Sequence, residues 1–162
     1  MQTAQRGRLL ILGLGNLLMG DEGLGVHLIR QMEDGAILPD GVHLQEGGTA
    51  GFQLTEYFLS YPIIILIDAT LDNHPPGHIR LLKPRFSADF PKGLSTHDIG
   101  LKDLLDGLTL MGKMPEIHLF VMSVSNLQPM NIGLSPEVEA AMSELEHRVR
   151  ALAETLTSEK SS

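Results

Sequence analysis

Glu22, Asp68 and His97 are far apart in the chain, yet each is read at the carboxyl end of a strand or in a loop beside one. Two carboxylates and an imidazole form a ligand set that divalent metals accept. Three protein ligands leave coordination positions open for water or substrate, as catalytic metal sites do. Asp68 closes the run "PIIILID", and an ionised group beside so apolar a stretch needs a strong partner. That partner is a hydrogen bond, a metal, or a cation such as Arg80. His97, in "STHDIGLKDLL", is one of seven histidines, so it gains weight only as the third member of the set.

Glu22 belongs to the glycine-rich stretch "GLGNLLMGDEGLGVH" (13–27). A dinucleotide fingerprint needs a third glycine where Leu18 stands, and a phosphate loop needs a lysine, yet none occurs before Lys83. Both phosphate readings fail on required residues. Asp21 and Glu22, bracketed by Gly20 and Gly23, remain to be explained. Asp21 is the natural helix N-cap. Glu22 then stands at the carboxyl end of the first strand, where open α/β sheets bind ligands.

Other chemistries lack their residues. The chain of 162 residues has no cysteine, which removes disulfides, thiolate ligands and a thiol nucleophile. "HPPGH" carries no zincin glutamate and its prolines forbid a helix; "GLSTH" and "GLSPE" miss the glycine of a nucleophile elbow. A net charge of -8 argues against nucleic acid or an anionic membrane as partner. No run reaches the roughly 18 apolar residues of a membrane span, and the N-terminal apolar run reads as a strand, not a signal peptide. The expected location is the cytoplasm.

Positioning these residues requires strands that end at one rim. "RLLILGLG" (8–15), "PIIILIDA" (62–69) and "EIHLFVMSV" (116–124) are near-continuously apolar, as in parallel strands covered on both faces. "GVHLQE" (41–46) is a shorter strand, and "HIRLLK" (78–83) alternates like an edge strand. Helices are expected over 22–34, 51–60, 98–111 and 135–157, the last capped by Ser135 with Pro136 at its first position. "NHPPGH" (73–78) is a loop, and the tail 157–162 is expected to fray. The fold class is therefore α/β: one domain over 1–162, a three-layer sandwich whose twisted, mostly parallel five-stranded sheet has helices on both faces.

In its "GLGNLLMGDEGLGVH", "EGGTAG" (46–51), "LIDAT" (66–70), "STHDIGL" (95–101) and "LQPMNIGLSPEVEAAM" (127–142), the chain resembles the hydrogenase maturation endopeptidases, peptidase family M52. The resemblance runs in order over roughly residues 8–150. It implies cleavage of a C-terminal extension from the precursor of a nickel–iron hydrogenase large subunit after nickel insertion. Glu22, Asp68 and His97 match the family's metal-contacting positions, with Asp68 and Glu22 the catalytic carboxylates and the nickel supplied by the substrate. Another divalent metal is possible in the isolated protein.

Gly47, Gly48 and Thr49 match a segment associated with precursor recognition. Asn16 matches as well, and either orients the carboxylate loop or stabilises its turn. Relatives commonly carry Asp at position 22 and an apolar residue at 70, and "SVSN" (123–126) is polar for a strand end. A monomer is expected. Two other readings stay open: a non-catalytic nickel-sensing chaperone of the precursor, and a small nucleotide-binding α/β module.

Overall fold

A computed structural model describes residues 8–48, 54–94, 100–125 and 133–161. The strands are β1 (Leu9–Leu14), β2 (Val42–Gly48), β3 (Ile63–Thr70), β4 (Ile79–Leu82) and β5 (Glu116–Ser123). The helices are α1 (Leu24–Gly35), α2 (Leu54–Ser60), α3 (Leu101–Leu110) and α4 (Pro136–Ser161). The sheet runs β2-β1-β3-β5-β4.

β1 pairs in parallel with both β2 and β3, and β3 pairs in parallel with β5. Among the described strands only β4 is antiparallel, at the edge its alternating pattern indicated. The direction follows from chain length. A parallel return needs a crossover of a dozen or so residues, and the segment between Thr70 and Ile79 is shorter, so the chain turns back at the same rim.

Side-chain alternation divides the core into two layers. Ile63, Ile65, Ile67 and Ala69 pack with α1 and with Val138, Met142, Leu145 and Val149 of α4. Ile64 and Leu66 face the other way, against Leu54 and Phe58 of α2 and Leu101, Leu105 and Leu108 of α3. Both faces of the central strands are thus covered, which is why their sequences are unbroken apolar runs.

Two local expectations are corrected. Ser135 precedes α4 as expected, but its hydroxyl makes no hydrogen bond among the described residues; its backbone carbonyl accepts from Glu139 N–H. The last helix also continues past 157, to Ser161. Thr157 is buried, its hydroxyl donates to the Ala153 carbonyl, and Arg8 donates to the Thr157 carbonyl, so the helix is held at Thr157.

Candidate functional site

Close backbone packing builds the rim. A Cβ on Gly13 would lie 2.1 Å from the Gly25 carbonyl oxygen, and one on Gly25 would lie 2.6 Å from that of Ile67. Glycine at both positions therefore lets α1 start directly over the ends of β1 and β3. Gly15, at φ +120°, allows the Glu22 carbonyl to approach where a Cβ would lie 2.0 Å from it. The glycines serve this packing.

Between them Gly20–Gly23 forms a 3-10 turn that packs against β3. Asp21 is not an N-cap. It sits inside the turn, buried, and its Oδ1 accepts the Ser135 backbone N–H at 2.7 Å. Glu22, next to it, is only partly buried, and desolvation raises its pKa above the ordinary 4.5. One acid is spent on the fold while its neighbour keeps part of its surface exposed.

Asp68 is 0% exposed and stands near the carboxyl end of β3, the central strand. By alternation it shares the face of Ile64 and Leu66. Its Oδ1 accepts the Ala69 N–H at 2.8 Å, which fixes the carboxylate. The cation offered as a possible partner, Arg80, goes elsewhere: it donates to Asp72 Oδ2 at 2.9 Å. The turn that carries Glu22 packs against β3, the strand that carries Asp68 near its end.

His97 and Thr49 lie outside the described residues. The described flanks of His97 are informative. Leu94 bridges to Thr70, Leu71 N–H donates to the Gly93 carbonyl, and Leu94 and Leu101 both pack in the core layer that Asp68 faces. Among the described residues alone, no three His, Asp or Glu side chains cluster as a metal site.

Asn16 makes a turn within its own loop, its Oδ1 accepting Leu18 N–H at 2.9 Å. With Leu17, Arg30, Glu46, Gly47 and Gly48 it lines an open cleft of about 370 Å³ beside the rim. Glu46 closes one wall through paired hydrogen bonds from Arg30, at 2.9 and 3.2 Å. Gly47 has no room for a side chain, since a Cβ would meet Leu14 at 2.7 Å, and Gly48 takes φ +63°. Three of the expected substrate contacts, Asn16, Gly47 and Gly48, thus share one concavity.

Sequence reasoning missed a polar cluster beyond the end of β3. Asp72 accepts from Ser123 Oγ at 2.7 Å, from His74 N–H at 3.1 Å and from Arg80. Burial works against ionisation of Asp72, but these hydrogen bonds and the charges of His74 and Arg80 outweigh it and hold its pKa below 3.8. The signal was the polar "SVSN": Ser123 ends β5 with a hydroxyl because the 71–78 loop needs a donor there.

Comparison with known proteins follows the same lines. The family model HycI, hydrogenase maturation protease, matches residues 26–151. That span contains Asp68 and His97 and begins just after Glu22. The chain is 36% identical to the hydrogenase 2 maturation protease of Escherichia coli K12, over 91% of this chain and 92% of the relative. Its fold is similar to the hydrogenase maturating endopeptidase HybD of Escherichia coli, with a TM-score of 0.82, 34% identity, and coverage of 91% and 93%. HybD from Thermococcus kodakarensis is similar at a TM-score of 0.74 and 26% identity, covering 90% of this chain and 99% of that one.

Proposed function

The chain belongs to the hydrogenase maturation proteases, a family of endopeptidases, and from that membership we propose that it cuts the C-terminal extension from a nickel–iron hydrogenase large-subunit precursor. On this reading the substrate's nickel meets Glu22, Asp68 and His97, so that a loaded precursor is told from an empty one by completing a coordination sphere. The observation that carries it is Asp68: a buried carboxylate, pinned by Ala69 N–H at the end of the central strand.

The chemistry of these groups supports the reading. A carboxylate taken out of water gains from a nearby cation, and Glu22, whose partial desolvation disfavours its charged form, is the kind of group that a cation would favour. Asp68 is placed to act as general base. A water donates its proton to Asp68 as its oxygen bonds to the scissile carbonyl carbon; the C–N bond then breaks and the proton passes to the leaving amine. No acyl-enzyme forms on this path. The cleft of Asn16, Gly47 and Gly48 would hold the precursor chain beside this point.

Mixing the protein with nickel-loaded and nickel-free precursor and running both on a denaturing gel tests the proposal. A mobility shift in the loaded lane alone is expected. A precursor bound but uncut in both lanes would instead make the protein a chaperone.

A further inference from the structure

A larger cleft, of about 510 Å³, opens between the 3-10 turn Ser87–Asp89 and α3, and the proposed function leaves it unused. Its base is apolar. Leu94, Leu101 and Leu105 line it from the core, and Phe90 beside them is half-buried. The volume falls within the roughly 300–1,000 Å³ of ligand sites, and an apolar concavity open to water marks a surface that meets a partner. The walls are fixed to one another, since Asp106 of α3 accepts from Ser87 Oγ and from Lys102 Nζ. The cleft is therefore preformed.

Charge and position say what the cleft takes. The chain has 20 acidic residues against 12 Lys and Arg, yet among the described residues the lining holds two lysines and no Asp or Glu. Lys102 is offset by its pair with Asp106. Lys92 is exposed and makes no ion pair among the described residues. Nearby Asp89 is committed to the backbone, its Oδ2 accepting the N–H groups of Arg85 and Phe86. Leu94 bridges to Thr70, two residues beyond Asp68, so the cleft adjoins the strand end that carries the buried carboxylate. We infer that this cleft docks the precursor, taking a bulky apolar side chain whose acidic neighbour in the precursor meets Lys92. The assignment rests on the protease reading above. A second copy of this chain is a poorer occupant, because two molecules of net charge -8 repel.

The test uses exposed lining positions, so that the core stays intact. Ala88→Trp fills the mouth, Lys92→Glu reverses its charge, and Lys113→Glu, beyond the end of α3 and outside the cleft, is the control. Initial rates are measured on nickel-loaded precursor at several concentrations, beside thermal melts. Ala88→Trp and Lys92→Glu are each expected to raise KM about tenfold with kcat within about twofold of the parent. Their thermal midpoints and the kinetics of Lys113→Glu should match the parent. The parent KM should rise with added salt, and that of Lys92→Gln should rise less. Parent-like KM in either cleft variant overturns the inference and leaves the protease reading intact. So does a loss of kcat at unchanged KM, which would place the cleft in the chemistry instead of in docking. Failure of the parent protein to cleave overturns both.

Discussion

The carboxylate of Asp21 accepts the backbone N–H of Ser135 at 2.7 Å, tying the turn that carries Glu22 to the start of α4 across 114 positions of sequence. A negative charge there also meets the positive end of a long helix. Two adjacent acids thus differ, one buried and holding the fold, the other partly exposed. Asp21→Ala is expected to destabilise the protein by about 2 kcal/mol, the cost of a hydrogen bond lost between a buried carboxylate and a partly buried helix start. Chemical denaturation measures it, and faster exchange of the Ser135 amide should accompany the loss.

Glu22 should behave in the opposite sense. Its pKa is raised by desolvation, so its ionised form costs the fold stability that appears as pH rises through the ordinary value of 4.5. Glu22→Gln removes that cost. Thermal melts at neutral pH should show an equal or higher midpoint than the parent, while cleavage of nickel-loaded precursor falls at least tenfold, as expected of a ligand traded for stability.

The glycine spacing can be challenged in the same way. Gly25→Ala places a methyl group 2.5 Å from the Leu14 oxygen and 2.6 Å from the Ile67 oxygen, both of them backbone atoms that cannot move aside. A loss of about 3 kcal/mol or more is expected, read as a lower denaturation midpoint. Gly35→Ala, with nothing within 4 Å of the added carbon, is the control and should leave the midpoint unchanged or slightly raised.

Most of this architecture could be read from residue patterns, for physical reasons. "PIIILID" and "EIHLFVMS" announce strands covered on both faces, because only burial on both sides favours unbroken apolar runs. The edge position of β4 showed in the alternation of "HIRLLK". What pattern could not encode were contacts between distant segments. Nothing periodic links Asp21 to Ser135, or Ser123 to Asp72. Local rules therefore assigned Asp21 and Ser135 separate capping roles, where the fold joins them to each other. The place of Asp68 near the end of β3 was legible because a carboxylate closing so apolar a run stands out. The pairing of Arg80 with Asp72 was not, because it depends on how the 71–78 loop turns.

That loop yields a pH prediction. Asp72 has its pKa held below 3.8 by Ser123, His74 and Arg80, so its stabilisation is fully present above the unfolded value and fades as pH falls from 3.8 through the lower folded value. Asp72→Ala should cost about 2 kcal/mol at neutral pH. The gap between variant and parent should close in strongly acidic solution. A gap constant across that range would mean that the charge of Asp72 contributes nothing.

Soaking crystals of the protein with nickel and locating the ion by anomalous scattering tests the central claim most directly. The account predicts one ion at the rim, roughly 2.0–2.2 Å from an oxygen each of Glu22 and Asp68 and a ring nitrogen of His97. An ion bound elsewhere, or a His97 ring turned away from those two carboxylates, would contradict it.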